Sequence, residues 1–184
     1  MRILLTNDDG IEAAGINVLA EFLNKAGHEV HVVAPVKEQS ATSHSITLHE
    51  PLRIFEKGKD RFAVTGSPAD CIILAMKVIM KSPVDLVISG INGGQNMGED
   101  ILYSGTVAAA LEAMFMGIPA IALSLASYTN QKFETAAFYM NKMIEEGIHK
   151  LISENEVFNI NVPNVEIEKI KGVRIAPTGH RRYY

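Results

Sequence analysis

Short runs of apolar residues alternate along the chain with longer segments in which apolar positions recur at helical spacing. A bounded apolar run is typical of a buried strand, and a longer periodic segment is typical of an amphipathic helix. The pattern predicts strands over residues 2–6, 28–34, 84–89, 119–123, 158–162 and 173–175. It predicts helices over 15–26, from Ser67-Pro68-Ala69-Asp70 onward, over 105–116 and over 131–146.

Two further segments, 45–55 and 61–65, look extended and are predicted to form a β-ribbon with Gly58 in its turn. Strands that alternate with helices imply right-handed crossovers and a parallel sheet covered on both faces. The predicted fold class is therefore α/β: a doubly wound, mainly parallel sheet with helices on both faces, plus the β-ribbon.

Composition narrows the class of protein. The 184 residues suit a single domain, and 47% hydrophobic with 21% charged residues is ordinary for a soluble globular protein. The net charge of −4 argues against non-specific binding to nucleic acid or to anionic membranes. It does not argue against small phosphorylated substrates, because a bound metal can reverse the local field.

The single cysteine and the apolar runs bear on the compartment. Cys71 has no second cysteine to pair with, which fits a reducing environment, and its apolar neighbours predict a buried thiol. No apolar stretch approaches the roughly 18 residues that a membrane helix needs. The N-terminus reaches Asn7 too soon for the apolar region of a signal peptide. We therefore predict a cytoplasmic protein without membrane binding.

Asn7-Asp8-Asp9-Gly10 is the most informative segment of the chain, because it follows the first predicted strand. Two adjacent carboxylates would then lie at the carboxyl end of a strand, where open α/β sheets bind ligands. Neighbouring like charges cost energy unless a positive charge compensates them, and a divalent cation is the simplest compensator. The alternative is a tight Asp-Gly turn with two solvated aspartates.

Two more loops leave the carboxyl ends of predicted strands, and in a doubly wound sheet all three would share one crevice. Residues 37–44 offer hydroxyl groups, and residues 89–98 offer amide carbonyls among glycines. Hard oxygen ligands of this kind favour magnesium, manganese or calcium over zinc or copper. The alternatives are a hydroxyl-rich surface turn and a flexible glycine loop.

Tyr103-Ser104-Gly105-Thr106 opens the helix predicted over 105–116. Ser104 is a candidate cap, and the free backbone N–H groups at such a helix start form a ready anion site. The alternative is a capping serine that binds no ligand.

Several competing motifs are absent from the sequence. Without a GxxxxGK[ST] loop, a GxGxxG after the first strand or a GxSxG elbow, P-loop enzymes, dinucleotide-binding dehydrogenases and α/β-hydrolases are disfavoured. A phosphoacceptor receiver domain needs an aspartate at the end of its third strand. Here Asp85 precedes that region, and the strand ends in Ser89-Gly90.

The chain resembles the SurE family of stationary-phase survival proteins, which are metal-dependent 5′/3′-nucleotidases. The resemblance runs over the whole chain, with the matching segments in the same order and spacing. These segments are residues 1–10, Val33-Ala34-Pro35 with 39–41, 65–71, 85–92 with Gly94 and Asn96, 103–108 and 159–163.

The resemblance implies a Rossmann-like fold and hydrolysis of nucleoside monophosphates to nucleoside and phosphate. It implies one divalent ion, Mg²⁺ or Mn²⁺, with Ca²⁺ able to replace it in crystals. It maps the metal ligands onto Asp8, Asp9, Ser40 and Asn92. Gln95 and Ser43 depart from the residues common in the family, but neither change removes a ligand.

The mechanism that we favour from the sequence is attack of metal-bound water on the phosphate. Asp8 and Asp9 are the predicted catalytic residues, since either could accept the proton of the water. An aspartyl-phosphate on Asp8 is the alternative. His44 is a candidate for phosphate contact or leaving-group protonation, against a hydrogen-bonded surface histidine. The phosphate oxygens are expected at Asn96, Ser104, Gly105 and Thr106.

Two other functions stay open. Within enzymes, the protein would be a broad phosphomonoesterase or exopolyphosphatase; outside enzymes, it would be a non-catalytic, metal-dependent nucleotide sensor. The predicted domain is a single SurE-like nucleotidase domain over 1–184. The resemblance implies a further C-terminal arm, exchanged between subunits, which this domain is expected to lack. We expect the native polypeptide to continue past Arg181-Arg182-Tyr183-Tyr184 and to form a homodimer or homotetramer.

Overall fold

The computed structural model describes residues 1–180. Its strands are β1 (Arg2–Thr6), β2 (Glu29–Pro35), β3 (Ile54–Gly58), β4 (Arg61–Val64), β5 (Leu86–Gly93), β6 (Ala120–Ala126) and β7 (Phe158–Pro163). Its α-helices are α1 (Ala14–Lys25), α2 (Pro68–Leu74), α3 (Gly105–Phe115) and α4 (Phe133–Glu145). Shorter helical turns lie at Ala75–Ile79, Gly98–Leu102, Ile148–Lys150 and Ile167–Lys169.

The seven strands form one sheet in the order β3-β4-β2-β1-β5-β6-β7. Every neighbouring pair is parallel except β3 and β4, which are antiparallel. The chain therefore moves outward from β1 to one edge and returns to begin again at β5, on the other side of β1. The carboxyl ends of β1 and β5 form the topological switch point, where open α/β sheets bind ligands.

Successive side chains of each strand point to opposite faces of the sheet, so apolar side chains lie on both faces and helices cover both. Ile3 and Leu5 pack into one core with α1 and α4, whereas Leu4 packs into a second core with α2 and α3. Helix α1 contacts α4, and α2 contacts α3. The α/β fold class is confirmed. Within residues 1–180, no helix combines the length and the apolar character needed to cross a bilayer.

The ribbon is shorter than predicted. Only Ile54–Gly58 pairs with Arg61–Val64, and residues 45–53 form no strand, so the prediction over 45–55 is wrong for most of its length. The backbone polar groups of this segment find other partners. Thr47 donates its N–H to the Asp70 carboxylate at 3.1 Å, and the Arg53 N–H bonds the Thr65 hydroxyl at 2.9 Å. Gly58 ends β3 rather than lying in the turn.

Two other predicted boundaries are also corrected. Strand β5 runs to Gly93, into the segment predicted to be a loop, and its pairing with β6 shifts between Ser89 and Asn92. The glycines look like loop signals, but a Cβ at Gly90 would lie 2.2 Å from the carbonyl oxygen of Leu123. Gly90 therefore allows β6 to approach. The strand predicted over 173–175 is absent from the structure, and Ile175 is 97% exposed with no sheet to join.

Other local predictions hold. Ser67 and Asp70 form a capping box at the start of α2, with Pro68 in its first turn. Cys71 is fully buried, as its apolar surroundings indicate. The C-terminal residues Arg181 to Tyr184, on which the expectation of a further arm depends, lie outside the described residues.

Candidate active site

The two aspartates lie directly after β1, at the switch point of the sheet. Thr6 is in register with Ser89 of β5, so the segments that follow these two strands are neighbours. Asn7 closes the turn with both ends of its side-chain amide. Its Nδ2 donates to the Gly10 carbonyl at 2.8 Å, and its Oδ1 accepts from the Gly10 N–H at 3.1 Å. The Asp-Gly turn is real, but it does not leave Asp8 in solvent.

Asp8 is 6% exposed, and its carboxylate faces the start of α3. Thr106 donates its hydroxyl hydrogen to Asp8 Oδ1 at 2.5 Å. Burial raises the pKa of Asp8, and hydrogen bonds from the side chain and backbone of Thr106 act in the opposite direction. The position before Thr106 must be a glycine at this spacing, because a Cβ on Gly105 would lie 2.8 Å from the Cβ of Asp8.

Asp9 is half-buried beside the end of β5. The Gly93 N–H donates to Asp9 Oδ2 at 3.4 Å, which is a long hydrogen bond. Burial and the neighbouring charge of Asp8 raise the pKa of Asp9 to about 6. Within residues 1–180, neither aspartate forms an ion pair with a lysine, arginine or histidine. Among the described residues, negative charge is therefore concentrated here without a paired cation.

The loop after β2 also contacts the segment that carries Asp8 and Asp9. The Gln39 N–H donates to the Asp8 carbonyl at 2.7 Å, which ties the loop to the end of β1. The Ser40 side chain is exposed, and its hydroxyl donates to Glu38 Oε1 at 2.5 Å. The charge of Glu38 raises the pKa of both Asp8 and Asp9. Sequence reasoning overlooked Glu38, although it lies in the loop already singled out for its oxygen donors.

Asn92 contributes an oriented amide from the end of β5. Its Nδ2 donates to the Gly94 carbonyl at 2.7 Å, which directs the nitrogen away and leaves the side-chain oxygen as the atom able to accept. In the described part of the chain, no group of three or more His, Cys, Asp or Glu side chains is arranged to hold a metal. A cation at Asp8 and Asp9 would therefore depend on neutral oxygens such as this one, a donor set that suits Mg²⁺ or Mn²⁺.

Asn96 is 6% exposed and lies in a network of polar side chains. Its Nδ2 donates to the Ser124 hydroxyl at 2.8 Å, and its backbone is bonded by Asn159 and Asn161 of β7. Sequence reasoning assigned no role to these three partners. The signal was the spacing of the two β7 asparagines, since alternate residues of a strand share one face.

The start of α3 is arranged around its cap and Asp8. The Ser104 hydroxyl accepts the Val107 N–H at 3.1 Å, so the predicted cap is confirmed. The hydroxyl of Thr106, a residue predicted to contact phosphate, donates to Asp8. The structure thus brings Asp8, Gly105 and Thr106 together.

His44 lies on the outer side of α3. Its Nε2 is 2.8 Å from a carboxylate oxygen of Glu112, and its ring stacks on Phe115 with 5.7 Å between the ring centroids. The imidazole is therefore held by two residues of the helix body. This is the geometry of a hydrogen-bonded, partly exposed histidine.

The family model described as Survival protein SurE matches residues 3–184. The chain belongs to the SurE family. The 5′-nucleotidase SurE of Nostoc sp. is 47% identical over 189 residues, which cover 100% of this chain and 71% of that protein. The 5′-nucleotidase SurE of Carboxydothermus hydrogenoformans is 48% identical over 191 residues, covering 100% of this chain and 72% of that protein.

The fold is shared as well. The crystal structure of the SurE protein from Aquifex aeolicus matches with a TM-score of 0.94 at 42% sequence identity, covering 100% of this chain and 75% of that one. The SurE resemblance read from the sequence is confirmed by the family match. The doubly wound α/β architecture is confirmed by the shared fold.

Proposed function

We propose that this SurE protein is a divalent-metal-dependent phosphatase that hydrolyses nucleoside 5′- and 3′-monophosphates to nucleoside and phosphate. Its relatives named 5′-nucleotidase SurE, at 47% and 48% identity, support the reaction and the substrate class. The observation that carries the proposal is the pair Asp8 and Asp9 at the switch point. Within residues 1–180 these adjacent carboxylates have no ion-pair partner, and a bound cation would compensate their charge.

One divalent ion, Mg²⁺ or Mn²⁺, is the proposed cofactor. The residues that would hold it are Asp8, Asp9, Ser40 and Asn92. When bound, such an ion lowers the pKa of water and stabilises negative charge on phosphoryl oxygens. Support for the set comes from the Asn92 amide, whose nitrogen is engaged by Gly94, and from the Gln39–Asp8 contact that ties the Ser40 loop to β1.

Asp9 is the proposed acceptor of the proton from the attacking water. Its carboxylate receives one long hydrogen bond, from the Gly93 N–H at 3.4 Å, whereas Asp8 is engaged by Thr106 at 2.5 Å. A less constrained carboxylate has an oxygen available for a proton in transit. An aspartyl-phosphate on Asp8 is the competing route, and trapping of a phosphorylated protein would identify it.

Substrate phosphate is proposed to bind beside the aspartates, at the start of α3 and in the segment after β5. The residues proposed for this role are Asn96, Ser104, Gly105 and His44. Thr106, which the sequence also assigns to phosphate, donates its hydroxyl hydrogen to Asp8. The proximity of Thr106 to Asp8 supports the location, because a phosphate there would lie next to the carboxylate pair. His44 is the weakest member of the group, since Glu112 and Phe115 already engage its ring.

Phosphate release from a panel of monophosphates tests the function. Chelator-treated protein is assayed with 5′- and 3′-nucleotides, glycerol phosphate and polyphosphate, with and without Mg²⁺ or Mn²⁺. Metal-dependent release that is fastest from nucleotides supports the proposal. Faster release from glycerol phosphate or polyphosphate would favour a broad phosphomonoesterase or an exopolyphosphatase. Nucleotide binding without release would favour a sensor, and full activity without metal would contradict the metal site.

We propose that the protein is cytoplasmic and assembles as a homodimer or homotetramer. Support for the assembly comes from the family resemblance. Support for the compartment comes from Cys71, a fully buried thiol of the kind that persists in reducing environments. Light scattering on the purified protein measures the assembly directly, and a monomeric mass would contradict it.

A further inference from the structure

Thr106 makes one short contact that its expected role does not explain. The side chain is fully buried as the second residue of α3, and its hydroxyl donates to Asp8 Oδ1 at 2.5 Å. A threonine hydroxyl has one hydrogen to donate. Because that hydrogen goes to Asp8, it is not available for a phosphate oxygen.

We propose that Thr106 is a positioning residue that fixes the Asp8 carboxylate for metal binding, and that it is not a phosphate contact. The inference rests on the metal site proposed above. The start of α3 then holds one oxygen of Asp8, which sets the orientation of the whole carboxylate.

The surroundings of Asp8 support this positioning role. The Thr106 hydroxyl and the Thr106 backbone both favour the charged form of Asp8, since both lower the pKa that burial raises. On the other side, the Gly105 backbone fits against Asp8, since a Cβ there would be 3.1 Å from Asp8 Oδ2. Thr106 and Gly105 thus restrict both rotation and displacement of the carboxylate. Residues that orient a metal ligand in this way typically change metal affinity or activity about 10- to 100-fold when they are replaced.

The test compares substitutions that remove or keep the hydroxyl. Thr106→Val keeps the branched shape and removes the donor, whereas Thr106→Ser keeps the donor and removes a methyl group. The matched control is Thr135→Val. Thr135 is also a buried threonine near the start of a helix, α4, and its hydroxyl donates to the Val165 carbonyl at 2.8 Å.

Mn²⁺ binding to the metal-free proteins is the readout, measured by calorimetry or by the paramagnetic resonance of free Mn²⁺. We expect Thr106→Val to raise the Mn²⁺ dissociation constant about tenfold or more, and Thr106→Ser to stay within about threefold of the wild type. Thr135→Val should bind Mn²⁺ as the wild type does. If Thr106→Val does not fold, as judged by circular dichroism, Thr106→Ala against Thr106→Ser makes the same comparison.

Other results would overturn the inference in distinct ways. Wild-type Mn²⁺ affinity in Thr106→Val, with a raised KM for nucleotide, would restore Thr106 to phosphate binding. Equal loss in the valine and serine variants would show that packing of the methyl group matters, not the hydroxyl. Absence of Mn²⁺ binding by the wild type would overturn the proposed metal site itself and this inference with it.

Discussion

The side-chain amide of Asn161 pairs with the backbone of Asn96 as a neighbouring strand would. Its Oδ1 accepts the Asn96 N–H at 2.8 Å, and its Nδ2 donates to the Asn96 carbonyl at 3.1 Å. Asn159 donates to the same carbonyl at 2.8 Å. Because β6 lies between β5 and β7, these amides reach across a strand to hold the segment that follows β5.

Asn161→Ala is expected to lower the free energy of unfolding by about 1 to 3 kcal/mol, because it leaves the N–H of Asn96 buried without its partner. We also expect a lower kcat/KM, since this segment continues from Asn92 and its partner Gly94. Urea unfolding and phosphate release measure the two effects.

The control for this variant is Asn164→Ala, in the segment that contacts the start of α4. Asn164 has the same kind of bonding, since it accepts the Lys132 N–H at 2.8 Å and donates to the Asn130 carbonyl at 3.0 Å. Its replacement should reduce stability without reducing activity. If both alanine variants keep full activity, the amide pairing holds the fold but does not serve the site.

Asp8→Asn and Asp9→Asn replace a charged oxygen by a neutral group at nearly constant volume. We expect each to lower kcat/KM roughly 100-fold or more and to leave the circular dichroism spectrum unchanged, because a ligand should matter at least as much as the residues around it. Ser40→Ala and Asn92→Ala should lose less, since neutral ligands contribute less electrostatic energy. Wild-type rates in both aspartate variants would show that Asp8 and Asp9 only form a turn and have no catalytic role.

The stability of the metal-free protein should depend on Asp9 and on pH. The pKa of Asp9 is raised from 3.8 to about 6, so between these values the folded state binds more protons than the unfolded state. The stability contributed by Asp9 is therefore complete below about pH 4 and falls as the pH rises through about 6. At pH 7.5, Asp9→Asn should be more stable than the wild type by about 2 kcal/mol, allowing for partial exposure to solvent.

Urea unfolding in chelator at pH 5 and pH 7.5 measures this difference. The gain in Asp9→Asn should shrink at the lower pH and should disappear when Mn²⁺ is added, because the ion stabilises only the protein that binds it. A variant less stable than the wild type at pH 7.5 would contradict the raised pKa.

Gly105→Ala tests whether the close packing of Gly105 against Asp8 serves metal binding and catalysis rather than the stability of α3. Alanine is a better helix former than glycine, by up to roughly 1 kcal/mol in a helix interior, so helix propensity alone would not destabilise α3. Its Cβ would lie 2.8 Å from the Cβ of Asp8, however, and contacts that short force a displacement. We expect weaker Mn²⁺ binding and a lower kcat. Gly117→Ala, which has a positive φ of 76° but open space around its Cβ, should reduce stability without affecting the metal.

The sequence by itself determined the fold class and the location of the candidate site. Apolar runs such as the one in β1 are typical of buried strands. When such strands alternate with amphipathic helices, a parallel sheet covered by helices is one of the few folds that bury all the apolar surfaces. The carboxyl ends of parallel strands share one edge of the sheet, so the sequence is enough to group Asp8 and Asp9, after β1, with Asn92 in β5.

Only the tertiary structure decided which partner each polar side chain uses. Hydrogen bonds between residues far apart in sequence, such as Thr106 with Asp8 and Asn161 with Asn96, follow from the register of the sheet and the position of α3. Neither residue shows its partner in its local pattern. For the same reason, the glycines after Ser89 looked like a loop, although the strand continues where Gly90 lets β6 approach. Local sequence patterns predict the helices and strands, whereas the contacts within the site depend on how these elements pack against one another.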